Sequence, residues 1–162
     1  MRRIAVALLA AFACTLAACS TQAAQPAPVA AETPSVHPFS GLEVVPVTIG
    51  IGNKAHVVRA EVARTQQEWT QGLMFRREMG ADEGMIFVSD TAETRSFWMR
   101  NTVIPLDIIF IGADHRILNI AADAVPYSLD SIPSVGPAIA VLELNGGRAA
   151  QLGIKPGMKV SW

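Results

Sequence analysis

Beyond residue 42, branched and aromatic residues come in short runs broken by Gly, Pro, Asn and Asp, and no stretch keeps a helical period for long. That spacing restricts the domain to a sheet of several short strands with little helix. Strands are expected at Val44 to Ile49 and His56 to Val62, joined as a hairpin through Gly50-Ile51-Gly52-Asn53-Lys54. A short helix follows from Arg64 to Gly72, because Thr65 and Glu68 have capping-box spacing and Gly72 can end the helix. Further strands are read at Met85 to Val88, Thr94 to Met99, Leu106 to Ile111 and Arg116 to Ala121. Residues 122 to 137, with three prolines, read as loop, and a strand from Ala138 to Leu144 comes next. Asn145 is placed as cap of a second short helix, Gly147 to Leu152, before a last strand from Met158 to Trp162. Such an element order cannot build a doubly wound parallel sheet. The expected class is α+β, mainly antiparallel, with about eight short strands in a partly closed, barrel-like sheet and two short helices.

The chain opens differently. Arg2 and Arg3 precede an uncharged run from Ile4 to Ala18, the pattern of a secretory signal peptide and shorter than the roughly 20 residues a spanning helix needs. The run ends in Leu16-Ala17-Ala18-Cys19, which resembles the lipobox of bacterial lipoproteins, so residues 1–18 are expected to be removed and Cys19 acylated. Several acyl chains anchor stably where one is marginal. Ser20 follows the cysteine, and by the same resemblance an outer-membrane anchor on the periplasmic side of the envelope is favoured. Residues 19–41 contain Pro26, Pro28, Pro34 and Pro38 among Ala and polar residues, which reads as a semi-stiff tether ahead of a single domain over 42–162.

Removing residues 1–18 leaves eleven basic against fourteen acidic side chains, a net charge of −3, which argues against nucleic acid as a partner. Cys14 leaves with the signal and Cys19 carries lipid, so the domain has no thiol for a disulfide, a nucleophile or a metal. His37, His56 and His115 are far apart, and Met74, Met79, Met85 and Met99 have core-filling rather than ligand spacing. No cofactor or metal site is expected. No G-x-S-x-G elbow and no glycine-rich phosphate loop is present.

Two acids stand out. Asp107 lies in line with Ile109 and Ile111 in a strand apolar on both faces, and Glu143 continues the face of Ile139 and Val141. A buried carboxylate must find a cation or several donors, or else take up a proton. The two acids could form an acid/base pair, or each could be matched by one of Arg64, Arg76, Arg77, Arg95 and Arg100. Phe97-Trp98-Met99-Arg100-Asn101-Thr102 leads from an aromatic into a polar cluster, as a cleft wall or as core packing with Trp98 over a sheet edge.

The ordered motifs Gly72-Leu73-Met74 with Arg76, Gly84-Met85-Ile86-Phe87, Phe97-Trp98-Met99 with Asn101-Thr102, Pro105-Leu106-Asp107 and Val141-Leu142-Glu143-Leu144 resemble the bacterial and archaeal domain-of-unknown-function family 192. The resemblance spans about Val44 to Trp162 and implies a compact, largely β fold, often exported, with no established activity. It marks Arg76, Asn101, Thr102, Asp107 and Glu143, with Trp98 beside them, as polar positions of the family pattern; Arg64 is added for its place in the sequence. The expected function is a lipid-anchored binding or accessory module whose cleft takes a small polar ligand or an envelope polymer. The alternatives are an envelope glycan hydrolase using Asp107 and Glu143, and a structural module that docks an envelope protein.

Overall fold

The computed structural model describes residues 35–162; the expected signal peptide, Cys19 and most of the expected tether lie outside the described residues. Eight strands form one sheet: β1 (Ser35–Val36), β2 (Glu43–Ile49), β3 (His56–Ala63), β4 (Glu83–Phe97), β5 (Leu106–Gly112), β6 (Ile117–Ala124), β7 (Ile132–Asn145) and β8 (Val160–Ser161). Two short helices, α1 (Gln66–Gln71) and α2 (Arg148–Gln151), follow β3 and β7. The strand order is β1-β2-β3-β4-β7-β5-β6, with β8 pairing β2. All neighbours are antiparallel except β3 and β4, which run parallel with Val62 opposite Ile86, joined by a crossover that contains α1.

The β2–β3 hairpin forms as the sequence predicts, with Thr48 opposite Val57. Helix α1 also starts as predicted: the Thr65 side chain accepts from the Glu68 amide, while the Glu68 carboxylate accepts from Thr65 N at 2.8 Å and Arg64 N at 2.7 Å. Those backbone donors, Thr65 foremost, hold the Glu68 carboxyl below its usual range. Gly72 caps the helix end at φ 45, a conformation that disfavours any residue with a Cβ.

Four expectations are corrected. First, the sheet is not closed into a barrel. β8 is only two residues long, and a single bridge, Arg116 to Lys159, links the turn before β6 to it. Second, the strands are not all short: β4 runs 15 residues through both of the predicted strands in this region, absorbing the break as a register shift between Val88 and Glu93. β7 likewise reaches back over Pro133 and Pro137. The prolines are tolerated because β5 ends opposite Ala138, so this half of β7 has one ladder partner, and the Asn119 side chain bridges Pro133 O and Val135 N on its open side. Third, residues 35–41 are not tether. β1 pairs β2, and His37 N donates to Leu42 O across the turn that follows. Fourth, Asn145 belongs to β7, its amide donating to Met79 O and Gly80 O, and Gly147 takes the N-cap of α2 instead.

Alternation along β4, β5 and β7 divides the apolar residues between two faces. Ile86, Ile109, Leu142 and Leu144 join Val47, Ile49, Val58, Val62 and Val160 in one core. Met85, Phe87, Ile108, Phe110 and Val141 join Leu73 and Met99 in the other. Trp69 of α1 docks against this second face, 5.5 Å from the Phe87 ring, and Phe97 continues the edge-to-face array toward Phe87 and Phe110. At Gly84 a Cβ would lie 2.5 Å from Glu143 O, so only glycine allows β4 to approach β7 this closely.

Asp107 is fully buried, and its carboxylate supplies the cap that Gly147 cannot. Oδ2 accepts from Ala149 N at 2.7 Å, while Oδ1 accepts from Gly147 N and Asp123 N, each at 2.9 Å. One side chain of β5 thereby fixes the start of α2 and the end of β6, where Asp123 is held at φ 50. Hydrogen bonds to charged groups contribute about 1.5–3 kcal/mol each, and orphaned buried donors add a penalty. Asp107→Ala is therefore expected to lose about 3–5 kcal/mol in urea unfolding, with Asp107→Asn between it and the parent. A loss below about 1 kcal/mol for the alanine variant would show that the three amides find other acceptors.

Candidate functional site

Glu143 lies near the end of β7, opposite Met85 of β4 and Ile108 of β5, and so projects from the Phe87 and Phe110 face. Asp107 is opposite Leu144, one position along, so it projects from the other face. The register thus separates the two acids across the sheet. They do not converge as an acid/base pair, and neither pairs with an arginine among the described residues.

Over Glu143 opens a cleft of about 410 Å³ between α1 and the chain from Thr94 to Thr102. Gln66 and Trp69 form one wall; Phe97, Trp98, Arg100 and Thr102 contribute to the other. The size is within the range of small-molecule sites, about 300–1,000 Å³. Glu143 is only 5% exposed, and burial alone pushes its carboxyl from the ordinary 4.5 up to about 8. No backbone or side-chain donor among the described residues reaches it. At neutral pH the acid form predominates, so the cleft floor presents a hydroxyl donor and a carbonyl acceptor.

The cations of the cleft differ. Arg95 is held over the Trp69 ring at 5.0 Å, donates to Ser89 Oγ at 2.7 Å and Thr91 O at 3.0 Å, and faces Glu93 at 3.7 Å. Arg100 stacks over Trp98 at 5.5 Å. The described arginine–carboxylate pairs engage Arg64, Arg76, Arg95, Arg116 and Arg148, which leaves Arg59, Arg77 and Arg100 without an acidic partner among the described residues, and of these three Arg100 lines the cleft. Trp98 is 48% exposed, while Phe97 and Met99 on either side pack inward, as alternation requires.

The remaining predicted residues scatter. Thr102 is buried and lines the cleft. Asn101 sits at φ 56 in the turn behind it, accepting from Phe75 N at 2.9 Å through its carbonyl and facing Met74 Sδ at 3.8 Å. Arg64 is outside the cleft, paired with Glu43 at 3.2 Å near the surface. Arg76 makes a buried two-pronged pair with Glu61 of β3, at 2.8 and 3.0 Å, and Phe39 covers its guanidinium at 4.9 Å. Glu61 also accepts from Ser40 Oγ, so this pair ties the segment after α1 and the entry of the chain to β3. Among the described residues, no three His, Cys, Asp or Glu side chains gather as a metal-ligand group.

Residue-level reading missed Trp69 as a cleft wall and Glu61 as the partner of Arg76. Trp69, the single aromatic residue of α1, was the available signal for the first. Nothing local marked Glu61, whose partner is fifteen positions away.

The family model of DUF192, described as an uncharacterized ACR, matches residues 47–162, and the chain belongs to this family. A protein of unknown function from Novosphingobium aromaticivorans DSM 12444 has a similar crystal structure, with 59% identity, a TM-score of 0.78, and coverage of 82% of this chain and 94% of that one. A second similar structure is of a candidate transcription regulator from Sinorhizobium meliloti 1021, 38% identical, with a TM-score of 0.69 and coverage of 72% and 91% respectively. None of the curated proteins matches the chain.

Two outcomes follow from these placements. Breaking one side of a buried ion pair costs about 3–5 kcal/mol, whereas replacing both sides by apolar groups is often neutral. Urea unfolding of Arg76→Leu should show that loss, and the Glu61→Leu/Arg76→Leu double variant should recover most of it. For Glu143 the folded state holds a proton that the unfolded chain has released, so its stabilising contribution is complete below 4.5 and is lost as the pH rises through about 8. The urea midpoint of the parent should fall between pH 5 and pH 9, and Glu143→Gln should remove the part of the fall due to this group. Parallel pH profiles of the two proteins would place the carboxyl in contact with solvent.

Proposed function

We propose that the protein is a binding module of the cell envelope, lipid-anchored through Cys19 on the periplasmic side and exported by its first eighteen residues, whose cleft holds a small polar ligand against Glu143. The carrying observation is a residue only 5% exposed whose carboxyl faces a cleft and has no donor among the described residues. A carboxyl set this far from bulk water and given no protein donor is poorly satisfied, and a ligand hydroxyl or carbonyl seated there would complete its hydrogen bonding. The Trp69 and Trp98 indoles on the two walls supply flat apolar surface for the rest of such a ligand.

The same geometry lowers the standing of a glycan hydrolase built on Asp107 and Glu143. Such an enzyme needs both carboxyl groups beside one bond, and these two leave the sheet from opposite faces. The net charge of −3 expected for the processed chain offers no electrostatic footprint for nucleic acid, so the regulator description of the Sinorhizobium protein is not carried over.

Thermal unfolding against envelope sugars, peptidoglycan fragments and short peptides tests the proposal. A ligand at 100-fold over its Kd stabilises by about 2.7 kcal/mol. That stabilisation should be lost in Trp98→Ala and in Glu143→Leu and kept in Arg64→Ala. A ligand that stabilises all four proteins equally sits elsewhere, and the cleft reading fails.

A further inference from the structure

The cleft is chemically lopsided. Among the described residues, no group donates to the carboxyl at its floor and no carboxylate neutralises the guanidinium at its mouth. Arg95, the other cation of the lining, already gives its Nη2 to Ser89 and Thr91. Arg100 therefore has the guanidinium fork available to an incoming anion, and stacking on Trp98 preorganises it. Between the two ends the walls offer indole faces with Thr and Gln side chains, suited to a ring that carries hydroxyl or amide groups.

Resting on the binding-module reading, we infer that the ligand is a sugar acid: its carboxylate pairs with Arg100 beside Trp98, and its uncharged hydroxyl or amide groups meet Glu143 at the floor. A neutral sugar leaves Arg100 unmatched. A simple carboxylate leaves the floor and the indoles unmatched.

The pairing depends on the floor being uncharged, because an ionised Glu143 would repel the anion inside a desolvated cleft. The charged groups that face Glu143 across the cleft are Arg95, near the end of β4, and Arg100, just after it; α1 contributes Gln66 and Trp69, and the flanking strand positions are Met85 and Ile108. With the Glu143 carboxyl at about 8, the competent fraction falls from about nine-tenths at pH 7 to about one-tenth at pH 9, so affinity for the acid drops about tenfold.

Calorimetric titration of the full-length chain in detergent micelles tests this with two related sugars: N-acetylmuramic acid, and N-acetylglucosamine, which lacks the 3-O-lactyl group that bears the carboxylate. The acid should bind at least about tenfold more tightly at pH 7, in the range expected for one charge-assisted pair. Arg100→Gln, at an exposed side chain, should bring the ratio of the two affinities to about one. Raising the pH from 7 to 9 should weaken the acid about tenfold in the parent and leave it level in Glu143→Gln. Equal binding of both sugars by the parent overturns the sugar-acid assignment and leaves the binding module standing. Binding of neither sugar overturns the assignment as well, and the wider ligand panel then decides the module reading separately.

Discussion

Asp107 is the carboxylate on which three parts of the chain converge. From the middle of the sheet it accepts from the first turn of α2, from the turn before that helix and from the end of β6. None of these segments has a local substitute. Gly147 has no side chain to cap α2, a helix of four residues has little intrinsic stability, and Asp123 occupies a left-handed conformation. The acid fully buried among apolar neighbours thus serves architecture, and three backbone amides replace the water it gave up.

Glu143 is the complementary case, one residue along the neighbouring register. It is nearly as buried as Asp107, yet it receives no donor from the described residues and is driven toward its neutral form. Two acids in adjacent central strands have opposite fates because the pleat sends them to opposite sides. One side is lined by the amides of α2. The other opens between α1 and the end of β4, where the Trp69, Phe97 and Phe110 rings keep space above the sheet. The cleft owes its depth to that aromatic array, which props α1 on the second core.

Much of the fold was legible. The β2–β3 hairpin, the capping box at Thr65 and Glu68, and the inward Phe97 and Met99 beside an outward Trp98 are local patterns with local causes. The family resemblance was legible as well, and the family model matches almost the same span. Less was legible where the outcome depended on a distant partner. Pro133 and Pro137 read as loop because proline removes donors, but β7 uses them where only one neighbour is present. Arg76 looked like a ligand contact and is consumed by Glu61, while Asn145 looked like a cap and bonds instead to Met79 and Gly80.

That Asp107 and Glu143 would be buried was decided by the sequence alone, because strand periodicity sets them among apolar neighbours whatever lies beside them. So was the absence of any thiol chemistry from residue 20 onward. Whether each buried acid would be satisfied was decided only by the tertiary structure. The answer rests on the β5–β7 register, and a shift of one residue would exchange the faces of every side chain on the strand. Register is a property of two strands about thirty-five positions apart in the chain, so no local pattern in either could contain it.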